Sequence, residues 1–166
     1  MTAITMVEAL NQALHHEMKN DENVIILGED VGHNGGVFRV TDQLATLYPS
    51  RVLDTPLAES MIAGTSIGMS TQGLKPIAEF QFMGFIHPAM DQILSHASRM
   101  RTRTRGRLHC PIVFRAPFGG GIRAPEHHSE SYEALFAHLP GLRVVIPSTP
   151  QKAYGLLLAS IRNPDP

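Results

Sequence analysis

VIILGED, residues 24–30, is the stretch that decides the fold. Val24, Ile25, Ile26 and Leu27 form an apolar run with no alternation, and Gly28, Glu29 and Asp30 end it. A strand with one face in water alternates apolar and polar residues, whereas an unbroken apolar run suits a strand covered on both faces, as in a parallel sheet. Upstream, Met6, Ala9, Leu10, Ala13 and Leu14 recur at helical spacing, which predicts a helix over residues 4–19. Downstream, TDQLATLYP (41–49) reads as a short helix and RVLD (51–54) as a strand. A helix over 57–72 stops at Gly73, KPIAEFQF (75–82) is a strand, and a helix spans 86–103. PIVFRAP (111–117) is a strand, YEALFAHLPG (132–141) a helix and LRVVIP (142–147) a strand. Pro150, at a favoured first position, opens a helix over 151–162. This alternation predicts an α/β fold, a mostly parallel sheet with helices on both faces.

The 166 residues suffice for one domain with a core of its own. Fourteen basic residues balance fifteen acidic ones, so nothing in the overall charge calls for nucleic acid or a membrane surface. No apolar run approaches the ~20 residues that span a bilayer. The start of the chain has no basic segment, apolar core and cleavage site in the order of a signal peptide. Cys110 is the single cysteine, which excludes an internal disulfide and fits a reducing, cytoplasmic setting. The Pro-rich turn SIRNPDP (160–166) follows a strong helical pattern and is expected to lead into a further element, so the chain reads as one domain of a longer protein.

Two segments fit no regular element: VGHNGGVFRV (31–40) and APFGGGIRAPEHHSES (116–131). The second follows a predicted strand, and in doubly wound sheets the loops at the carboxyl ends of strands carry ligands. Gly119–Gly121 lead into no helix with Lys-Ser/Thr, so they form no P-loop, and no G-x-G-x-x-G follows a strand. The adjacent His127 and His128 point in different directions on any regular backbone and make a poor bidentate metal site. They read either as part of a polar surface loop or as one histidine serving as acid, base or substrate anchor. The run Arg99, Arg101, Arg103, Arg105 and Arg107 lacks interleaved aromatics and reads as a solvated helix end or a subunit interface rather than an RNA site.

LDTPLAES (53–60) puts Glu59 at the head of a small, apolar helix. An acid there complements the helix dipole with no further role. Gly64 and Gly68, however, share a face, and each glycine costs a helix interior ~1 kcal/mol. That face is expected to meet another backbone closely, leaving Glu59 partly desolvated. In EFQFMGF (79–85), Phe80 and Phe82 read as core, while Phe85, past Gly84, is free to stack on a heterocycle.

Five ordered blocks now carry a resemblance: LGEDVGHNGGVFRVT, DTPLAES, AEFQFMGFIHPAMDQI, APFGGGIRAPEHHSES and LPGLRVVIPSTPQKAYGLLLASIRNPDP. Over nearly the whole chain they resemble the beta subunits of the decarboxylating component of 2-oxo acid dehydrogenases, most of all those acting on pyruvate. The resemblance implies that residues 1–166 are a pyrimidine-binding domain of the transketolase kind, followed in the family by a C-terminal transketolase-type domain that this chain lacks. It implies oxidative decarboxylation of pyruvate with transfer of the acetyl unit to lipoyl groups, or the same chemistry in a branched-chain 2-oxo acid or acetoin enzyme. A reading of another class is an assembly module without turnover.

The implied cofactor is thiamine diphosphate, shared with an alpha subunit that holds its diphosphate and magnesium. This chain has no G-D-G motif with an asparagine pair for that purpose. Further implied partners are a second beta subunit and the lipoyl acyltransferase core. Glu59 matches the acid that hydrogen-bonds a pyrimidine ring nitrogen, and burial among small residues is expected to raise its pKa. Phe85 and Gln81 match contacts to the cofactor ring, and His128 a loop histidine acting on substrate. Glu29 and Asp91 match acids of a proton tunnel between paired sites. Ile112, Ser160, Ile161, Asn163 and Asp165 match a potassium site built from backbone carbonyls, with Asn163 standing where an acid is often found.

Overall fold

The computed structural model describes residues 3–166. Its strands are β1 (Val24–Gly28), β2 (Val52–Asp54), β3 (Lys75–Glu79) and β4 (Val113–Arg115). Its α-helices are α1 (Met6–Asn20), α2 (Leu44–Leu47), α3 (Glu59–Thr71), α4 (Met100–Arg103), α5 (Glu133–Ala137) and α6 (Pro150–Ile161). The sheet is parallel in the order β2-β1-β3-β4, with Ile26 opposite Val52 and Ile77, and Ile77 opposite Val113. All five residues of β1 are buried, as an apolar run without alternation requires.

Helices cover both faces, as the alternation predicts. On one face α1 packs on α6, and Leu14, Met18, Val24, Ile26, Ile77, Leu157 and Ile161 close a common core. Thr5 starts α1 through a capping box with Glu8, and Thr149 caps α6 just before Pro150. Arg162, past the end of α6, reaches Glu17 of α1 at 2.6 Å. On the other face α3 and the segment 83–99 cover Leu27, Ala78 and Phe80, and Ile62, Ala63, Ile86 and Ile93 fill the space between. Each such large apolar side chain contributes about 1.5–3 kcal/mol by leaving water.

Four expectations need correction. The helix over 86–103 is not continuous: a 3₁₀ stretch (Met83–Ala89), a π turn (Gln92–His96) and a second 3₁₀ turn (Ala97–Arg99) precede α4. Pro88 has no N–H to give and crowds the preceding turn, while the Ser98 hydroxyl donates to the Leu94 carbonyl at 2.8 Å. The strand expected at 142–147 does not form; Val144, Val145 and Ile146 stand exposed beside a groove of about 590 Å³, and the Arg143 N–H goes to the Pro166 carbonyl at 2.9 Å. β3 ends at Glu79, so Phe82 lies outside the strand. No backbone meets the glycine face of α3: a Cβ on Gly64 would touch only the Gln92 side chain at 3.4 Å, and one on Gly68 nothing within 4 Å.

Candidate functional site

Every predicted site residue near the loops follows the carboxyl end of a strand. Glu29 and Asp30 leave β1, Glu59 follows β2, Gln81 and Phe85 follow β3, and the loop holding His128 follows β4. The strand order reverses between β1 and β3, and a parallel sheet opens its ligand crevice at such a reversal.

One side of the crevice mouth is acidic. Glu29 is 4% exposed, and neither carboxyl oxygen has a hydrogen-bond partner among the described residues. Burial, then the negative charges of Glu59 and Asp30, push its pKa from 4.5 up to about 7. The sequence predicts a buried carboxyl at Glu59; in the structure the buried one is its neighbour, Glu29. Glu59 itself is half-buried, the first residue of α3, behind an Ala58 cap whose side chain accepts no hydrogen bond. An acid in this first turn complements the positive end of the helix dipole. Asp30 takes a left-handed backbone (φ 57°), and its carboxylate accepts from Asn34 at 3.1 Å and Gln81 at 2.9 Å. Gln81 thereby ties the end of β3 to that of β1. Asp54, the last residue of β2, accepts the N–H groups of Gly32 and His33 at 2.6 and 3.1 Å and anchors the 31–40 loop. Further in, the buried Glu79 pairs with Arg115 across β3 and β4.

The other side is aromatic. Phe82 stands edge-on to Phe38 at 5.7 Å and to Phe85 at 5.8 Å. His128 packs against Phe82 at 4.6 Å and Phe85 at 5.0 Å between ring centroids. A cavity of about 190 Å³ opens here between Phe38, Phe82, Phe118, Ile122 and His128. The His128 Nδ1 lies 2.9 Å from the Glu126 carbonyl, which accepts. Nδ1 thus carries the proton of the neutral ring, and Nε2 is its free acceptor. Gly84 makes the arrangement possible: a Cβ there would lie 2.2 Å from the His127 carbonyl oxygen, so only glycine lets the loop seat against residues 83–89.

Asp91 lies apart, exposed, with its carboxylate accepting the Ser95 hydroxyl at 2.8 Å. Ile112, Ser160, Ile161, Asn163 and Asp165 gather where α6 ends beside the approach to β4. There Cys110 N–H reaches the Pro164 carbonyl at 3.1 Å, and the Ser160 carbonyl accepts the Asn163 N–H at 3.1 Å. The Asp165 carboxylate is held by Arg101 at 2.7 Å. The sequence reading missed Phe82, which it placed in the core, and Asp30 and Asp54. An acid at a strand's end next to a Gly-rich loop was the available signal for the latter two.

No helix among the described residues is long and apolar enough to cross a membrane. Solved structures share the fold: a chain described as a split gene transketolase, inactive beta4 tetramer, aligns over 99% of this chain and 50% of its own, with a TM-score of 0.78 at 21% identity. Among curated proteins, the pyruvate dehydrogenase E1 component subunit beta of Acholeplasma laidlawii is 56% identical, and that of Bacillus subtilis 50%. The 2-oxoisovalerate dehydrogenase subunit beta of Bacillus subtilis is also 50% identical. Each alignment covers all of this chain and 51% of the relative, so the chain spans about half the length of these proteins. The model of the transketolase pyrimidine-binding domain matches residues 2–166, and the chain belongs to that family.

Proposed function

We propose that this chain is the pyrimidine-binding part of a 2-oxo acid dehydrogenase beta subunit that works on pyruvate with thiamine diphosphate shared with an alpha subunit. The observation that carries the reading is the pair Glu29 and Glu59, with Phe85 in the aromatic wall of the same mouth. The residues fit a neutral, nitrogen-bearing ring. Glu29 offers two buried oxygens without partners among the described residues, Glu59 offers a half-buried carboxylate, and the aromatic wall offers a face for stacking.

Glu59 would hold a ring nitrogen through a carboxyl oxygen, with Gln81 and Phe85 orienting the ring. When bound, the cofactor supplies the electron sink for loss of carbon dioxide from the 2-oxo acid. Glu29, with its pKa near 7, changes protonation state around neutral pH and keeps a proton available beside Glu59. His128 presents Nε2 to the substrate side. Asp91 would continue the proton path towards a second beta subunit. The carbonyls of Ile112, Ser160, Ile161 and Asn163, with Asp165, would hold potassium at the end of α6. Magnesium falls to the alpha subunit, and the acyl product to a lipoyl acyltransferase core.

The two Bacillus subtilis relatives differ in the 2-oxo acid of their names at equal identity, which keeps a branched-chain substrate as the second reading. The chain is to be mixed with the alpha subunit, thiamine diphosphate and magnesium, and dye reduction followed with pyruvate and with 2-oxoisovalerate. Pyruvate-dependent reduction supports the proposal. Preference for 2-oxoisovalerate selects the second reading, and a complex without turnover selects the assembly module.

A further inference from the structure

The loop that carries His128 sends its neighbour, His127, the other way. A ring nitrogen of His127 comes together with one of His87 and a carboxyl oxygen of Glu130, all three atoms lying within 4.8 Å of one another. His87 sits in the 83–89 turn, forty residues from His127 (127 − 87 = 40), so no spacing motif announces the cluster.

Three features prepare it for a ligand. The His87 Nδ1 lies 3.0 Å from the Gly84 carbonyl, which fixes the ring and its tautomer and turns Nε2 outward. Histidines that bind metals are commonly held in this way through their second nitrogen. The Tyr132 ring, 4.6 Å from that of His87, supports it from the side. His127 holds a left-handed backbone (φ 54°), which few residues other than glycine adopt, and its carbonyl is seated on Gly84. The third feature points to an occupant: the Tyr132 hydroxyl and the His127 N–H hold the Glu130 carboxylate in place and keep it ionised, while its buried Oε2 has no hydrogen-bond partner among the described residues.

We propose that His87, His127 and Glu130 form a binding site for a divalent transition metal of zinc's kind, clamping the 116–131 loop onto the 83–89 turn. Two imidazoles and one carboxylate are a donor set that zinc accepts, with one coordination position left for water. Metal–ligand bonds of ~2.0–2.1 Å put tetrahedral donors about 3.3–3.4 Å apart, so binding would draw the three donors closer than their present limit of 4.8 Å, chiefly by movement of the exposed His127 ring. The clamp joins the two segments that carry Phe85 and His128. Occupancy would therefore set the mobility of His128, whose own ring packs against Phe82 and Phe85 outside the cluster.

The test is calorimetric titration of the chain with zinc chloride, backed by the visible spectrum of the cobalt-loaded chain. One equivalent is expected to bind. His87→Ala and Glu130→Gln are expected to weaken binding at least tenfold each, as is His127→Asn, which keeps a residue tolerant of the left-handed backbone. His33→Ala, in the 31–40 loop, should leave affinity unchanged. Zinc should also slow hydrogen exchange across residues 124–131. Absence of stoichiometric binding overturns the proposal, and so does binding that survives the His87→Ala/His127→Asn double variant.

Discussion

Replacing Glu29 by glutamine tests the acidic crevice without reference to any ligand. The carboxyl group has a folded-state pKa of about 7 against 4.5 for a free one. Between those values the folded chain keeps a proton that the unfolded chain has released. The contribution of Glu29 is therefore fully present below about pH 4.5, falls through the window from 4.5 to 7, and is lost above it. At 1.36 kcal/mol per pKa unit, a rise of about 2.5 sets a ceiling of about 3 kcal/mol, lowered by whatever water screens the crevice mouth. Glutamine has the same shape and no charge, so the variant should match the parent near pH 4.5 and exceed it by about 1–3 kcal/mol at pH 8. In a chain of this length each kcal/mol is a gain of about 2–4 °C in Tm. Parallel thermal or urea unfolding at pH 5 and pH 8 reads it directly, and comparing variant with parent cancels every other titrating group. If both chains lost the same stability between the two pH values, Glu29 would be solvated or paired, and the case for a proton held beside Glu59 would fail.

Glu59→Gln is expected to leave the unfolding midpoint nearly unchanged, because the side chain is half-buried and outside the core, and to abolish pyruvate-dependent dye reduction with the alpha subunit. Retained turnover removes Glu59 from the mechanism. Arg115→Ala strands the buried Glu79 carboxylate without its partner and should cost about 3–5 kcal/mol by denaturant titration. A loss below 1 kcal/mol would mean that water replaces the guanidinium. Gly84→Ala pushes a methyl group into the His127 backbone and should unseat the loop, raising hydrogen exchange and proteolysis within 119–131 while the core stays protected. Val145→Lys, at a position 47% exposed, should change stability by less than about 0.5 kcal/mol, whereas a larger loss would show that residues 142–147 spend their time paired to β4.

The parts legible in the sequence are those whose cause is local. The unbroken apolar run of β1, the helical spacing of α1 and the Pro150 start of α6 each follow from neighbours within a few residues. The strand-end positions of Glu29, Gln81 and His128 follow from the alternation alone, because it fixes a parallel sheet and so the side on which the loops meet. What escaped depends on distant partners or on where a pattern stops. Phe82 keeps the two-residue phase of Phe80, but β3 ends at Glu79; Phe80 still follows the sheet through its N–H to the Arg115 carbonyl, and Phe82 lies past that last tie. LRVVIP has every mark of a strand, yet Arg143 spends its N–H on the far end of the chain. Pro88 was visible in HPAMDQ and should have broken the predicted 86–103 helix on chemistry alone.

The acids at the mouth also say what this half of a site can hold. Glu29, Asp30, Asp54 and Glu59 crowd the ends of β1 and β2, while the ion pairs of the described residues use Glu17, Asp21, Glu79 and Asp165 instead. Among the described residues none of these four acids is in an ion pair, so a phosphate group approaching them meets negative charge. A flat heterocycle with N–H groups and ring nitrogens meets the opposite conditions: the Glu29 oxygens, without partners among the described residues, on one side and aromatic faces on the other. Such a crevice selects the uncharged end of a ligand and requires its anionic end to be held elsewhere. That arrangement supports the proposal of an alpha partner that holds the anionic end of the cofactor. Free diphosphate should then fail to displace any aminopyrimidine that binds the isolated chain, and competition between the two would show that the crevice accommodates both ends.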